Sequence, residues 1–161
     1  DKPFHQATVR NIVQSLDIPR GSFYQYFEDL TECYMYILSQ ETSELHQLFL
    51  EMIKKYPLGK ALDEYKHLLL KELVHNENYA IYKYRFLDWN HELTLAWKKY
   101  NPQTFVSKEP VSPMISVVKA VVHDLVYRLF SEEWSDQEFV AHYDSEIAVI
   151  MNGLSGNQNH Q

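Results

Sequence analysis

The sequence predicts an all-α protein, and three observations carry that reading. Only four glycines occur in 161 residues. Apolar residues recur at three- and four-residue intervals along most of the chain, the spacing of one helix face, while strand-like alternation is scarce. The prolines stand mostly between these periodic runs, where helices are expected to stop.

The first run spans about Thr8 to Leu16. Val9, Ile12, Val13 and Leu16 fall on one stripe, and the Thr8 hydroxyl is placed to cap the helix start. Asp17-Ile18-Pro19 follows as a turn. Asp17 stands where a left-handed residue is needed, which Asp tolerates better than most. Pro19 has its φ pre-set for a first helical turn. A second helix is expected from Arg20 to about Phe27, with Phe23 and Phe27 inward. Arg20, Gly21, Ser22, Tyr24, Gln25 and Tyr26 are left on or near the outer side. Two short helices, a tight turn and a polar, aromatic second helix are the parts of a helix-turn-helix.

These residues also resemble a particular family. Thr8-Val9-Arg10-Asn11-Ile12 and Gly21-Ser22-Phe23-Tyr24-Gln25-Tyr26-Phe27 are similar to the DNA-binding signature of the tetracycline-repressor (TetR) family of transcriptional regulators. The close resemblance covers Ala7–Phe27; beyond it, helix lengths and order are similar. It implies that Thr8, Arg20, Gly21, Ser22, Tyr24, Gln25 and Tyr26 meet DNA. Arg and Gln suit base edges, while Ser, Tyr and helix-start N–H groups suit phosphates. Three departures stand out. Asp17 replaces the usual turn glycine. Glu28-Asp29-Leu30 stands where the family usually carries a Lys. The family's head begins with a further helix before the matched stretch, so the three-helix head is expected to be incomplete here, since two helices cannot enclose a core.

Composition bounds the rest. Hydrophobic residues make up 45% of the chain and the formal net charge is −7. Through Phe27, Lys2, Arg10 and Arg20 outweigh Asp1 and Asp17, so the acidic excess lies in the body, away from the expected DNA face. Cys33 is the only cysteine, which excludes an internal disulfide, and it falls on an apolar helix side as a packing residue. No apolar run approaches the ~18 residues of a membrane span, and no secretory signal is visible; a cytoplasmic protein is expected. The eight histidines are scattered and form no metal signature, so neither metal nor cofactor is assigned. No nucleophile elbow, P-loop or GxGxxG appears, and no enzyme is expected.

After the head, Asp29 or Thr31 is placed to cap a long helix from Thr31 to Tyr56. The resemblance assigns that helix the relay between body and head. A helix Leu58–His75 carries Leu62, Tyr65, Leu69 and Leu73 inward. A third, Glu77–Tyr100, carries Tyr82, Phe86, Trp89, Leu93, Ala96, Trp97 and Tyr100. Its surplus of large aromatics suggests a small-molecule pocket walled by Tyr65, Tyr82, Phe86, Trp89, Leu93 and Trp97, with core packing as the plain alternative. Gln103–Pro113 reads as a loop. The helix Met114–Glu133 is apolar over too wide an arc for one buried face. Ser135 and Glu138 form a capping box opening the last helix, which Gly153-Leu154 is expected to close.

The expected organisation is an incomplete helix-turn-helix over residues 1–29, a helical ligand-binding and dimerisation domain over 30–154, and a disordered tail over 155–161. In the family the last two long helices pair with their copies in a second subunit. Val117, Val121, Leu125, Tyr143, Ile147 and Ile150 are therefore expected at a homodimer seam. The resulting reading is a ligand-responsive regulator, most often a repressor in this family, bound as a homodimer to a palindromic double-stranded operator. The rival is a TetR-fold ligand-binding or protein-interaction module of weak DNA affinity, favoured by the acidic Glu28-Asp29 pair.

Overall fold

The computed structural model describes residues 3–102 and 112–158, with side chains as far as Gly153. The described residues hold helices and no strand. The helices are α1 (Val9–Leu16), α2 (Arg20–Tyr24), α3 (Leu30–Lys55), α4 (Leu58–Leu69), α5 (Tyr79–Leu87), α6 (His91–Tyr100), α7 (Pro113–Ser131) and α8 (Asp136–Gln158). A 3-10 turn, Phe4–Gln6, precedes them, and a π-helical turn, Leu70–Val74, extends α4. The chain forms two compact units, Asp1–His46 with Ala80–Lys108, and Gln47–Tyr79 with Glu109–Gln161.

In the first unit, Val13, Phe23 and Cys33 are buried together, with Val9 and Phe27 packed against them. A second cluster buries Met35 and Leu38 of α3 under Leu93 of α6, flanked by Ile81, Trp89, Ala96 and Trp97. Phe4 stacks on Tyr34 at 4.5 Å between centroids. Burial pushes the Tyr34 phenol up to about 12. The Arg85 guanidinium lies 3.9 Å from the centre of the Trp89 ring, and its burial lowers its pKa. Tyr82 is buried and donates its hydroxyl to Glu41 Oε2 at 2.7 Å.

One expected helix, Glu77–Tyr100, is two. Helix α5 stops at Leu87, and Asn90 adopts extended backbone angles, φ −137° and ψ 178°. Its side chain accepts from the Leu93 N–H at 2.9 Å and starts α6 afresh. The Trp89 indole N–H donates to Thr94 Oγ1 at 2.8 Å, which fixes the break from the other side. Asn competes well for backbone N–H groups at a helix start, and here that local bond wins over helix continuity.

In the second unit, α8 packs on α7 and α4. Phe139, Tyr143 and Ile147 of α8 are buried, as are Val118, Leu125, Val126, Leu129 and Phe130 of α7 and Leu62, Tyr65, Leu69 and Leu73 from Leu58–Val74. The Tyr143 hydroxyl donates to the Leu62 carbonyl at 2.6 Å. Lys66 is 7% exposed and its ammonium bridges Asp63 Oδ1 (2.8 Å) and Asp144 Oδ1 (2.7 Å), tying α4 to α8. Arg128 Nη2 donates to both Glu146 oxygens, at 2.6 and 2.8 Å, between α7 and α8. The capping box at the start of α8 is formed in both directions: the Ser135 N–H donates to Glu138 Oε2 and the Glu138 N–H to Ser135 Oγ. At its other end, α8 runs through Gly153 to Gln158, and Gly153 has no positive φ, so the glycine cap expected at Gly153-Leu154 is not made. Residues 103–111 of the expected loop and 159–161 of the expected tail lie outside the described residues.

Candidate nucleic-acid interface

Helix α1 is opened as the sequence predicts. Thr8 is extended, φ −134° and ψ 153°, and its Oγ1 accepts from the Asn11 N–H at 3.1 Å. It is closed by Asp17, which takes left-handed angles, φ 53° and ψ 47°. The Asp17 N–H bonds the Gln14 carbonyl and the Ile18 N–H the Val13 carbonyl, so the helix end is satisfied within a tight turn. Pro19, at φ −63° and ψ 145°, is the residue that precedes α2.

Helix α2 is shorter than the sequence predicts, ending at Tyr24 rather than near Phe27. It is held by one face. Phe23 is buried and touches the half-buried Phe27 at 5.5 Å between ring centroids. The other face is uncommitted: Arg20, Gly21, Tyr24, Gln25 and Tyr26 are exposed and Ser22 is half-buried. Tyr24 is set edge-on against Phe23, and the Arg20 guanidinium lies 6.0 Å from the Tyr24 ring centre. The two long side chains are thereby oriented without being buried. At Gly21 an added β-carbon would meet nothing within 4 Å. Packing within the chain thus gives no reason for a glycine there.

The acidic residues after α2 have a local role. Asp29 Oδ1 accepts from the Glu32 N–H at 2.9 Å, and Glu32 Oε2 accepts from the Glu28 N–H at 2.6 Å. These bonds cap α3 and place carboxylates at the positive end of its dipole.

The residues expected to wall a ligand pocket divide between the two units, Tyr65 in the second and the other five in the first. Tyr65 belongs to the second unit and packs on Phe49 at 5.0 Å. Trp89, Leu93 and Trp97 share the cluster around Met35 and Leu38, with the two indoles edge-on at 6.5 Å. For these three the plain core reading describes what is seen. A described cavity of about 560 Å³ lies elsewhere in the first unit, lined by Tyr26, Phe27, Tyr36 and Tyr100 among others, and by none of the six.

The expected seam residues also divide. Leu125, Tyr143 and Ile147 face the chain's own core, at 0%, 1% and 8% exposure, so they have no surface to offer a second copy. Periodicity marked them as apolar but not which partner they meet. Val117 is 52% exposed, and Val121 and Ile150 are half-buried. Val149 and Tyr127 are exposed at 71% and 42%. Among the described residues no group of three or more His, Cys, Asp and Glu side chains is placed to hold a metal, and no helix is long and apolar enough to cross a membrane. His142 stacks flat on Trp134 at 4.1 Å.

A helix-turn-helix with an open second helix, joined to a helical body, defines the class of a helix-turn-helix regulator. Residues 58–153 match the family model described as tetracyclin repressor, C-terminal domain. The chain therefore belongs to the tetracycline-repressor family. No curated protein matches it.

Proposed function

We propose that this protein is a ligand-responsive transcriptional regulator, a repressor in its simplest form, which binds a palindromic double-stranded operator as a homodimer. The observation that carries the reading is the open face of α2. Arg20, Tyr24, Gln25 and Tyr26 are exposed, and Gly21 has no neighbour to accommodate. A glycine without a packing reason fits a place where a foreign backbone comes close. Arg20 and Gln25 suit base edges; Thr8, Ser22, Tyr24 and Tyr26 suit phosphates. In a dimer, two such helices enter successive major grooves about one helical turn apart.

The second copy is expected against the outer faces of α7 and α8, at Val117, Val121, Val149 and Ile150, where apolar side chains remain at the surface of the single chain. An effector acts by favouring one head separation over another.

The test is binding of the full-length protein to its own upstream DNA, by fluorescence anisotropy. Gln25→Ala is expected to shift base preference by about 1–3 kcal/mol, and Tyr24→Phe to weaken binding by about 1 kcal/mol. Gly21→Ala is expected to weaken DNA binding while raising helix stability by roughly 0.5–1 kcal/mol. Wild-type affinity in all three variants would rule out this face.

A further inference from the structure

The cavity of about 560 Å³ in the first unit has an unusual wall. Tyr26 and Phe27 come from the residues directly after α2. Glu32, Tyr36 and Ser39 come from the first turns of α3, and Tyr100 from the end of α6. Phe27 and Tyr36 are in ring contact at 5.8 Å. Its size suits a small molecule rather than water alone.

Glu32 is in the wall, and Glu28 and Asp29 precede it on the same turn. One cation already rests there: the Lys99 ammonium is 4.8 Å from the Tyr100 ring centre and 3.3 Å from its hydroxyl. That hydroxyl, with the Glu28 and Asp29 carboxylates, raises the Lys99 pKa. Glu32 is the charged residue of the lining, and the Lys99 ammonium beside the Tyr100 ring makes a contact of the kind a bound cation would make. Aromatic rings attract cations through their quadrupoles, and a carboxylate beside them adds to the field.

We propose that this cleft binds a small organic cation, an alkyl- or arylammonium, at the root of the DNA-facing helix. An anionic guest would meet the carboxylates, and a neutral one would gain only the contact with the rings. Occupation ties Tyr26 and Phe27, which directly follow α2, to the start of α3. The proposal goes beyond the regulatory reading, and its test uses no DNA, so either stands if the other fails.

Benzyltrimethylammonium chloride, titrated into the full-length protein by calorimetry at low ionic strength, is the probe. Benzyl alcohol and phenylacetate are the neutral and anionic controls. Saturable binding of the cation, about tenfold or more tighter than either control, is expected. Glu32→Gln keeps an acceptor for the Glu28 N–H and removes the charge; Tyr100→Leu removes a ring. Each is expected to weaken the cation about fivefold or more with circular dichroism unchanged. If Tyr100→Leu unfolds, Tyr36→Leu takes its place, since that side chain is 55% exposed. No saturation by about 10 mM, equal affinity for benzyl alcohol, or wild-type binding in the folded variants would each overturn the proposal.

Discussion

Replacing Lys66 by Met separates two effects that act on the same ammonium. The Lys66 side chain is 9% exposed, while its partners Asp63 and Asp144 are 65% and 52% exposed. The stem is buried and the ammonium reaches carboxylates that stay in water. Burial alone lowers the Lys66 pKa, but the hydrogen bonds it donates to Asp144 and Asp63, with their negative charge, outweigh it and the net shift is upward. Met keeps the stem and loses two charge-assisted hydrogen bonds. Each would contribute about 1.5–3 kcal/mol in a dry site; discounting for the solvated carboxylates leaves a loss of about 1–2 kcal/mol in all. Lys66→Ala also removes three carbons of buried stem and is expected to cost about 2 kcal/mol more.

The pH dependence gives the sign. The hydrogen bond from Lys66 holds the Asp63 carboxyl below its ordinary 3.8, so that contribution is present above pH 3.8 and is lost as pH falls through the lower folded value. The raised Lys66 pKa makes its contribution present below 10.5 and lost as pH rises through the higher folded value. Urea denaturation of wild type and Lys66→Met should therefore differ at pH 7 and draw together as pH falls below 3.8. A Met variant as stable as wild type at pH 7 would mean that desolvation cancels the ion pairs. A gap that persists undiminished in acid would mean that packing, not charge, separates the two.

Asp17→Gly is expected to stabilise the head by about 0.5–1 kcal/mol, since Asp17 sits at φ 53°, and Asp17→Val to destabilise it by more; thermal melts report both. Burial raises the Tyr34 and Tyr65 phenols to about 12, from an ordinary 10, so their contribution holds below pH 10 and is lost on rising towards 12. Helix loss and tyrosine ionisation, followed by circular dichroism and absorbance near 295 nm, should then rise together in that range; ionisation complete before any helix is lost would contradict this. Val117→Glu or Val149→Glu should give a folded monomer by light scattering, whereas Ile147→Glu should unfold the chain because Ile147 is in its own core. A wild type that is monomeric at micromolar concentration would refute the seam.

What was legible in the sequence was local chemistry. Thr8, Asp17 and the Ser135–Glu138 box act through bonds to neighbours a few residues away, so type and spacing suffice to read them. The break at Asn90 was equally local and was overridden by the aromatic period running through Tyr82, Trp89 and Trp97. The signal was there: Asn followed by an acidic residue in the first turn, Glu92. The seam and pocket residues are harder to read for another reason. A period of 3.6 marks a side chain as apolar-facing but does not say whether it faces the chain's own core, a second copy or a cavity. Leu125 and Val117 lie on one periodic run, and only packing separates 0% from 52% exposure. The π-helical turn at Leu70–Val74 leaves no mark in the pattern, because Leu69, Leu70 and Leu73 read as ordinary helix.

Cys33 is a built-in clock for the head. It is the only cysteine, and it is buried with Val13 and Phe23. Burial and the adjacent Glu32 charge raise its thiol pKa, so little thiolate forms near neutral pH while the cluster is closed. A disulfide reagent therefore reacts when the cluster parts. Its labelling rate, measured against that of the unfolded chain, gives the opening equilibrium of the helix-turn-helix without a mutation or a probe. The same measurement with DNA present tests whether the proposed operator slows that opening.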